Sequence, residues 1–429
     1  MGSRTTRWDR DDIERRLCRV LDLAARAIER LAAAGYTDAA EPANNLRPEK
    51  LISETAVLLY AASPVGRGNP IGARVDKVAR LLVPHARSSR MLLGVCLEPA
   101  LALDYAEAHI CLGGLGHRDA DFDALLRHGI NSQAAPGRER VPHRVLEQQW
   151  LRDVWNGSQP GSWERPRRGA LSSVLNGPMD LLSGNRLDVY AFTHALMYLT
   201  GFAIRPRPLP RPRAVILAEA EAALARAVDA EDYDLSGELL MAWPLTGRSW
   251  SAAAAFGFRV LAHVEDSAGV LPAPSTRSDR LAKLEGDGRT DYFLATAYHT
   301  AYVMGLLCAA ALQPGKTPPA APMASAAANG SSDEILRFLE PESRRPHWRG
   351  EFEKLAAAQR DALAGFLLTI ALHRKIGQHD FGAAHELLKA GYRLGLADSP
   401  AAGQAAEMLE RLALFHRVNR LSKPCQQAS

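Results

Sequence analysis

Cysteine is scarce in this 429-residue chain. The five residues, Cys18, Cys96, Cys111, Cys308 and Cys425, are scattered, with no CxxC and no Cys beside a His. An odd, dispersed set excludes a disulfide framework and a zinc cluster as organising features. Charge of one sign is also lacking: 52 Lys and Arg face 48 Asp and Glu, for a net charge of +4. That balance excludes the concentrated basic stripe of a nucleic-acid binder. The one arginine-rich stretch, IRPRPLPRPR at 204–213, has interleaved prolines that make it an extended connector. Long hydrophobic runs are missing too. The best, 293–313, is interrupted by Tyr298, His299 and Thr300, and MGSRTTRWDRDD at the start has no apolar core of a signal peptide. The expectation is a soluble cytoplasmic protein with no membrane or nucleic-acid partner. β-branched alternation never persists, which excludes a sheet.

What is present is alanine and leucine at a period near 3.6. Residues 8–34 read as a first helix with Leu17, Val20, Leu21, Ala24, Ile28 and Leu31 on one side and Gly35 as the stop. A second starts after Pro48. Others are expected at 75–88, 90–112, 119–128, 140–157, 187–203, 211–230, 235–247, 249–268, 290–312, 349–376, 380–394 and 401–418. HICLGG, HVEDSAG and HRKIG each end on a glycine suited to a helix C-cap. The pattern predicts an all-α fold of serial αα-hairpins forming an irregular α/α toroid or barrel-like array. Residues 1–312 read as the main helical domain. QPGKTPPAAPMASAAANGSSDE, 313–334, reads as a flexible loop or linker, and 335–429 as helices packed on the same domain.

The chemistry gathers on related segments. GNRLDVYAFTH (184–194) and GRTDYFLATAYH (288–299) both run Gly, Arg, Asp, aromatic, His. Tyr190 and Tyr198 lie four residues either side of His194, on one helical face, and Tyr292, Thr296 and Tyr302 fall within the same broad face around His299. LDYAEAHICLGG repeats the theme with Tyr105 and His109. If such helices line a common interior, His194 and His299 become acid/base groups near neutral pH, with Tyr190, Tyr198 and Tyr298 as donors and Asp188 and Asp291 as orienting carboxylates. Arg186 and Arg289 then hold an anionic or peptide substrate, with Tyr105, His109 and Tyr302 as further contacts. The bland alternative is a set of core histidines with aromatic neighbours. His143, Glu147 and Trp150 also share a face, read as an amphipathic packing helix. His109, His194 and His299 form no HxxxH or HExxH pair, so no metal and no other cofactor is expected.

LDVYAFTHALMYLTGF, TDYFLATAYHTAYVMGL and LDYAEAHICLGGLGHRDADFDALL resemble a mainly actinobacterial, all-helical family without a settled activity. More distantly the serial hairpins resemble α/α toroid enzymes: lanthionine cyclases, terpene and protein-prenyl cyclases, and some glycosidases. The Cys and Cys-His zinc ligands of the first and the DxDD of toroid terpene cyclases are absent here. The resemblance implies a metal-independent cyclase or lyase of bacterial specialised metabolism, acting on a peptide or small natural product beside other enzymes of a biosynthetic pathway. The competing expectations are a helical scaffold with a concave partner-binding groove, and a toroid-type hydrolase using Asp188 and Asp291.

Overall fold

Apolar spacing at Ile13, Leu17, Val20, Leu21, Ala24 and Ile28 dictates one buried helical face. In the computed structural model all six are sealed on helix α1, Arg10–Ala34. The structure describes residues 9–34, 48–157, 168–204, 206–320, 331–339 and 346–421. Among these every regular element is a helix, as the periodicity predicts. The expected stop at Gly35 lies outside the described residues, as does Cys425.

The helices that matter for the interior are α2 (Pro48–Ala62), α3 (Pro70–Ala86), α4 (Ala102–Gly114), α5 (Pro142–Trp155) and α6 (Arg186–Thr200). They continue with α7 (Arg213–Asp229), α8 (Tyr233–Leu240), α9 (Ala252–Ala268) and α10 (Tyr298–Ala311). Six of them touch in a closed circuit: α2 packs on α4, α4 on α5, α5 on α6, α6 on α8, α8 on α10, and α10 returns to α2. The others pack behind. Helix α1 lies against α3 and α10, α3 against α2 and α4, and both α7 and α9 against α8. Close approach of α1, α2 and α10 depends on Gly305, where a Cβ would sit 2.8 Å from Val20 Cγ1 and 2.9 Å from Leu58 Cδ1.

Four expected helices are broken. The segment 235–247 divides at Met241 into α8 and Ala242–Thr246, and 349–376 divides into His347–Glu353, Ala357–Asp361 and Ala364–Gly377. The segment 90–112 divides into Ser89–Leu97 and α4. Pro99 removes a backbone donor and drives the preceding Glu98 to φ −123°, ψ 67°. The segment 290–312 divides at Ala297, where Gly286–Thr296 and α10 meet at 74°. The carbonyl of Thr296 is taken instead by the Thr276 hydroxyl at 2.9 Å, which satisfies the freed acceptor.

Of the expected glycine stops, Gly269 adopts φ 80° as the C-cap of α9. Gly377 instead stays inside the helix Ala364–Gly377, and His379 takes the positive φ of 58°. The expected linker 313–334 is shorter than read. Residues 321–330 lie outside the described residues, but Ser331–Leu336 is already helical, held by Asp361, which accepts from both the backbone N–H and hydroxyl of Ser332. The helix Ala364–Gly377 packs on α7, and Phe366 meets Phe256 of α9 edge to face at 5.7 Å.

Candidate functional site

Each helix of the closed circuit turns an ionisable side chain into one cavity of about 760 Å³: Glu54 from α2, Glu107 from α4, Glu147 from α5, His194 from α6, Glu238 from α8 and His299 from α10. Helix α10 shows how the sequence arranges this. Its residues are apolar all round and buried except His299 and Leu306, and those two line the cavity. A carboxylate or imidazole in such a helix needs a partner, because burial disfavours charge.

His299 has two. Glu54 Oε2 lies 3.0 Å from Nδ1, and Asp234 Oδ1 lies 3.6 Å from Nε2. The Glu54 contact is an ion pair outside hydrogen-bond alignment. Burial would depress this imidazole, but Glu54 and then Asp234 outweigh it and raise it to about 9. His299 is therefore an imidazolium at neutral pH. Burial works against the charge of Glu54 as well, yet His299 and Lys50 hold it below the usual carboxylate value. Asp234 is tied by Arg186 at 2.9 Å and by the Thr300 hydroxyl at 3.3 Å. Burial nonetheless lifts Asp234 above the usual range, opposed by His299 and reinforced by Glu238.

His194 is oriented differently. Its Nδ1 lies 3.0 Å from the Tyr190 carbonyl and 3.5 Å from Glu238 Oε2. A carbonyl only accepts, so Nδ1 carries the hydrogen and Nε2 is the basic nitrogen of the neutral ring. Glu238 also accepts from the Thr193 hydroxyl; burial opposes its charge, but His194 and Thr193 keep it low. The Tyr190 ring stacks on His194 at 3.7 Å between centroids, and burial raises its phenol. Beyond lies His143, 6.0 Å from His194, pushed down to about 4 by burial and by His194.

Several expected residues thus share the cavity: His194, His299, Tyr190, Tyr198, Tyr105 and Tyr302 all line it. The Tyr198 hydroxyl donates to Glu147 at 2.5 Å. Tyr302 shares a 3.0 Å hydrogen bond with Thr55, and Tyr105 donates to Glu98 at 2.6 Å, which pushes its phenol up to about 12. Other expected residues stand elsewhere. Asp188 closes a capping box with Asn185 at the start of α6 and orients no imidazole. Asp291 is exposed and paired with Arg30. Arg289 donates to the Leu281 carbonyl at 3.0 Å, on the far side of the 74° bend. That bend is why the two Gly-Arg-Asp copies are not equivalent. Arg186 stands off the cavity lining and grips Asp232 and Asp234. Tyr298 is buried beside Glu54, off the cavity wall, with its phenol raised by burial and that carboxylate. His109 is sealed against Phe122 and bonded to Asp123 at 3.0 Å. Burial lowers it, and it takes no part in the cavity.

The residues missed are the carboxylates Glu54, Glu107, Asp234 and Glu238 and the cation Arg144. Their signal was present: SETAVLLY, YAEAHICL and SGELLMAW each carry one Glu in an otherwise apolar helix. Such a residue is rarely buried unless partnered. Asp234, Glu238 and His299 present donor atoms within 4.8 Å of one another. This set, and not the three histidines, is the one that could hold a divalent cation, once His299 has lost its proton.

One corner of the cavity is strained. After α6, Gly201, Phe202 and Ala203 adopt φ of 53°, 55° and 63° in succession. Non-glycine residues in that region cost about 1–3 kcal/mol each and collect at functional sites. Here the left-handed turn seats Phe202 in the cavity wall against Trp150, 5.3 Å away.

No curated protein matches the chain, and no solved structure does. Residues 17–309, which carry every side chain of the cavity, match the family described as Domain of unknown function (DUF6895), and the chain belongs to that family.

Proposed function

We propose that this chain is an enzyme that moves protons on a small organic molecule in the cavity, in a cyclisation or addition–elimination of the cyclase or lyase type. One observation carries the reading: an imidazolium held between two carboxylates, His299 with Glu54 and Asp234, opens onto the same cavity as an imidazole backed by Glu238, His194. A charged acid and a second imidazole that face one cavity are what paired acid and base catalysis requires.

In the addition direction, His194 Nε2 takes the proton from a nucleophilic X–H of the substrate. X bonds to the β-carbon of an activated alkene, the π pair moves to the α-carbon, and the His299 imidazolium delivers its proton there. The product is an isomer of the substrate, and the proton on His194 returns to His299 through solvent. Tyr190 fixes the His194 ring, and Arg186 acts as a positioning residue through Asp234. The hydrolase reading loses its carboxylate pair, because Asp188 and Asp291 lie outside the cavity.

The test is mass spectrometry of a small-molecule extract incubated with the wild type, His299→Gln and His194→Gln. The expected result is depletion of one species and appearance of an isomer of equal mass. Removing a general acid or base costs about 10²- to 10⁴-fold in rate, so each variant should lose the product by that order. Compounds that bind and return unchanged from the wild type would refute catalysis and leave a binding protein.

A further inference from the structure

The cavity carries more carboxyl side chains than permanently cationic ones. Glu49, Glu54, Asp104, Glu107, Glu147 and Glu238 line it, against Lys50, Arg90 and Arg144 as permanent cations. Most of these charges are already matched. Arg90 pairs with Glu49 and Lys50 with Glu54. Arg140, from outside the lining, holds Asp104 at 3.0 Å, and Arg144 contacts both oxygens of Glu147 at 2.8 and 2.7 Å. Glu107 has no such cation. The groups that face it are Glu147 and Arg144 from α5, Tyr198 from α6, Ser53 from α2, and Asp104 and Cys111 on its own helix. On the outer side of α4 the only titratable contact described is His109 with Asp123 and Arg87. Burial and then Glu147 push the Glu107 carboxyl well above its usual range, opposed by Arg144. Tyr198 lies beside it, and the cavity wall also carries Tyr105, Tyr190 and Phe202, aromatic faces that attract a desolvated cation.

We propose that the ligand of this cavity bears an organic cation, an ammonium or guanidinium group, that docks on Glu107 beside Glu147 and Tyr198. The inference rests on the cavity being the substrate site and adds the class of substrate to that reading. It replaces the expected anionic substrate, since Arg186 and Arg289 do not reach the cavity. A docked cation favours the carboxylate form of Glu107, so a proton held there passes to solvent.

Isothermal titration calorimetry at pH 7, in two buffers of different ionisation enthalpy, tests it with three probes sharing a ring: tyramine, 4-ethylphenol and 3-(4-hydroxyphenyl)propionate. Agmatine serves as a second cation. The expected result is tyramine binding at least about tenfold tighter than 4-ethylphenol, about 1.4 kcal/mol, with weaker or no binding of the anion and with proton release. Glu107→Gln, checked for folding by near-ultraviolet circular dichroism, should abolish the proton release and bring tyramine within about twofold of 4-ethylphenol. Should Glu107→Gln fail to fold, Glu107→Asp, which withdraws the carboxyl by one methylene, should weaken tyramine more than 4-ethylphenol. Equal binding of tyramine and 4-ethylphenol to the wild type overturns the proposal. So does selectivity that survives the loss of Glu107, or absence of binding by both cations at millimolar concentration. If the wild type binds tyramine through Glu107 with proton release and no turnover of any compound is found, the catalytic reading fails alone.

Discussion

Replacing Glu54 by glutamine tests the electrostatics of the site at its strongest point. The two charges lie 3.0 Å apart. Coulomb's law gives about 1.4 kcal/mol for such a pair in water and about 5.5 kcal/mol at an effective dielectric constant of 20. At 1.36 kcal/mol per unit these bracket a change of about one to four pK units. His299 stands at about 9 in the intact site, so a loss of about two units or more brings its midpoint to about 7 or below. The desolvation that opposes its charge remains in the variant. The assay is a 1H–13C titration of imidazole Cε1–H signals, with His299→Gln identifying the resonance. Stability follows the same linkage. A folded-state pKa of about 9 against an ordinary 6.5 gives a contribution of up to about 3 kcal/mol. Because the folded value is the higher, that contribution is complete below about pH 6.5 and lost as the pH rises through about 9. A wild-type midpoint near 6.5, or one that does not move in Glu54→Gln, would refute the reasoning.

Zinc needs an unprotonated imidazole, so its binding by Asp234, Glu238 and His299 should strengthen about tenfold per pH unit from 6 towards 9; calorimetry showing a flat profile would locate zinc elsewhere. Arg16 is buried and joined to Asp12, Glu265 and Asp266, and Arg16→Leu strands those carboxylates. The expected loss is about 3–5 kcal/mol by urea denaturation, and a loss under about 1 kcal/mol contradicts it. Gly305→Ala drives a methyl into Val20 and Leu58, which should lower stability by about 1–3 kcal/mol; an unchanged urea midpoint would show that α1 and α2 yield freely.

Helix periodicity is a local property and was legible from the chain alone. The buried stripe of α1 could be drawn from Leu17 to Ile28, and His194 and His299 could be paired from their matching surroundings. Which helices meet in the circuit was not legible, because contacts such as α10 on α2 depend on side chains more than 240 residues apart, as Thr55 and Tyr302 illustrate. The repeat misled for a related reason. Asp188 and Asp291 occupy like positions in their motifs, but the extra two residues before His299 are where the second helix bends, so its acid end leaves the interior. The true partners, Glu54, Asp234 and Glu238, sit on other helices, and no pattern within one segment announces a neighbour that comes from another.

A chamber to which each of six helices brings a buried carboxylate or imidazole can be rewritten helix by helix. Positions 54, 107, 147, 194, 238 and 299 can each be rewritten while the helix that bears it keeps its other face against its neighbours. Connecting segments can lengthen or change composition without disturbing that text, since none of these six groups resides on a loop. Among relatives of this chain, divergence of specificity should therefore be written in those six columns, and grafting another member's chemistry should take substitutions at these positions, with every turn left as it is.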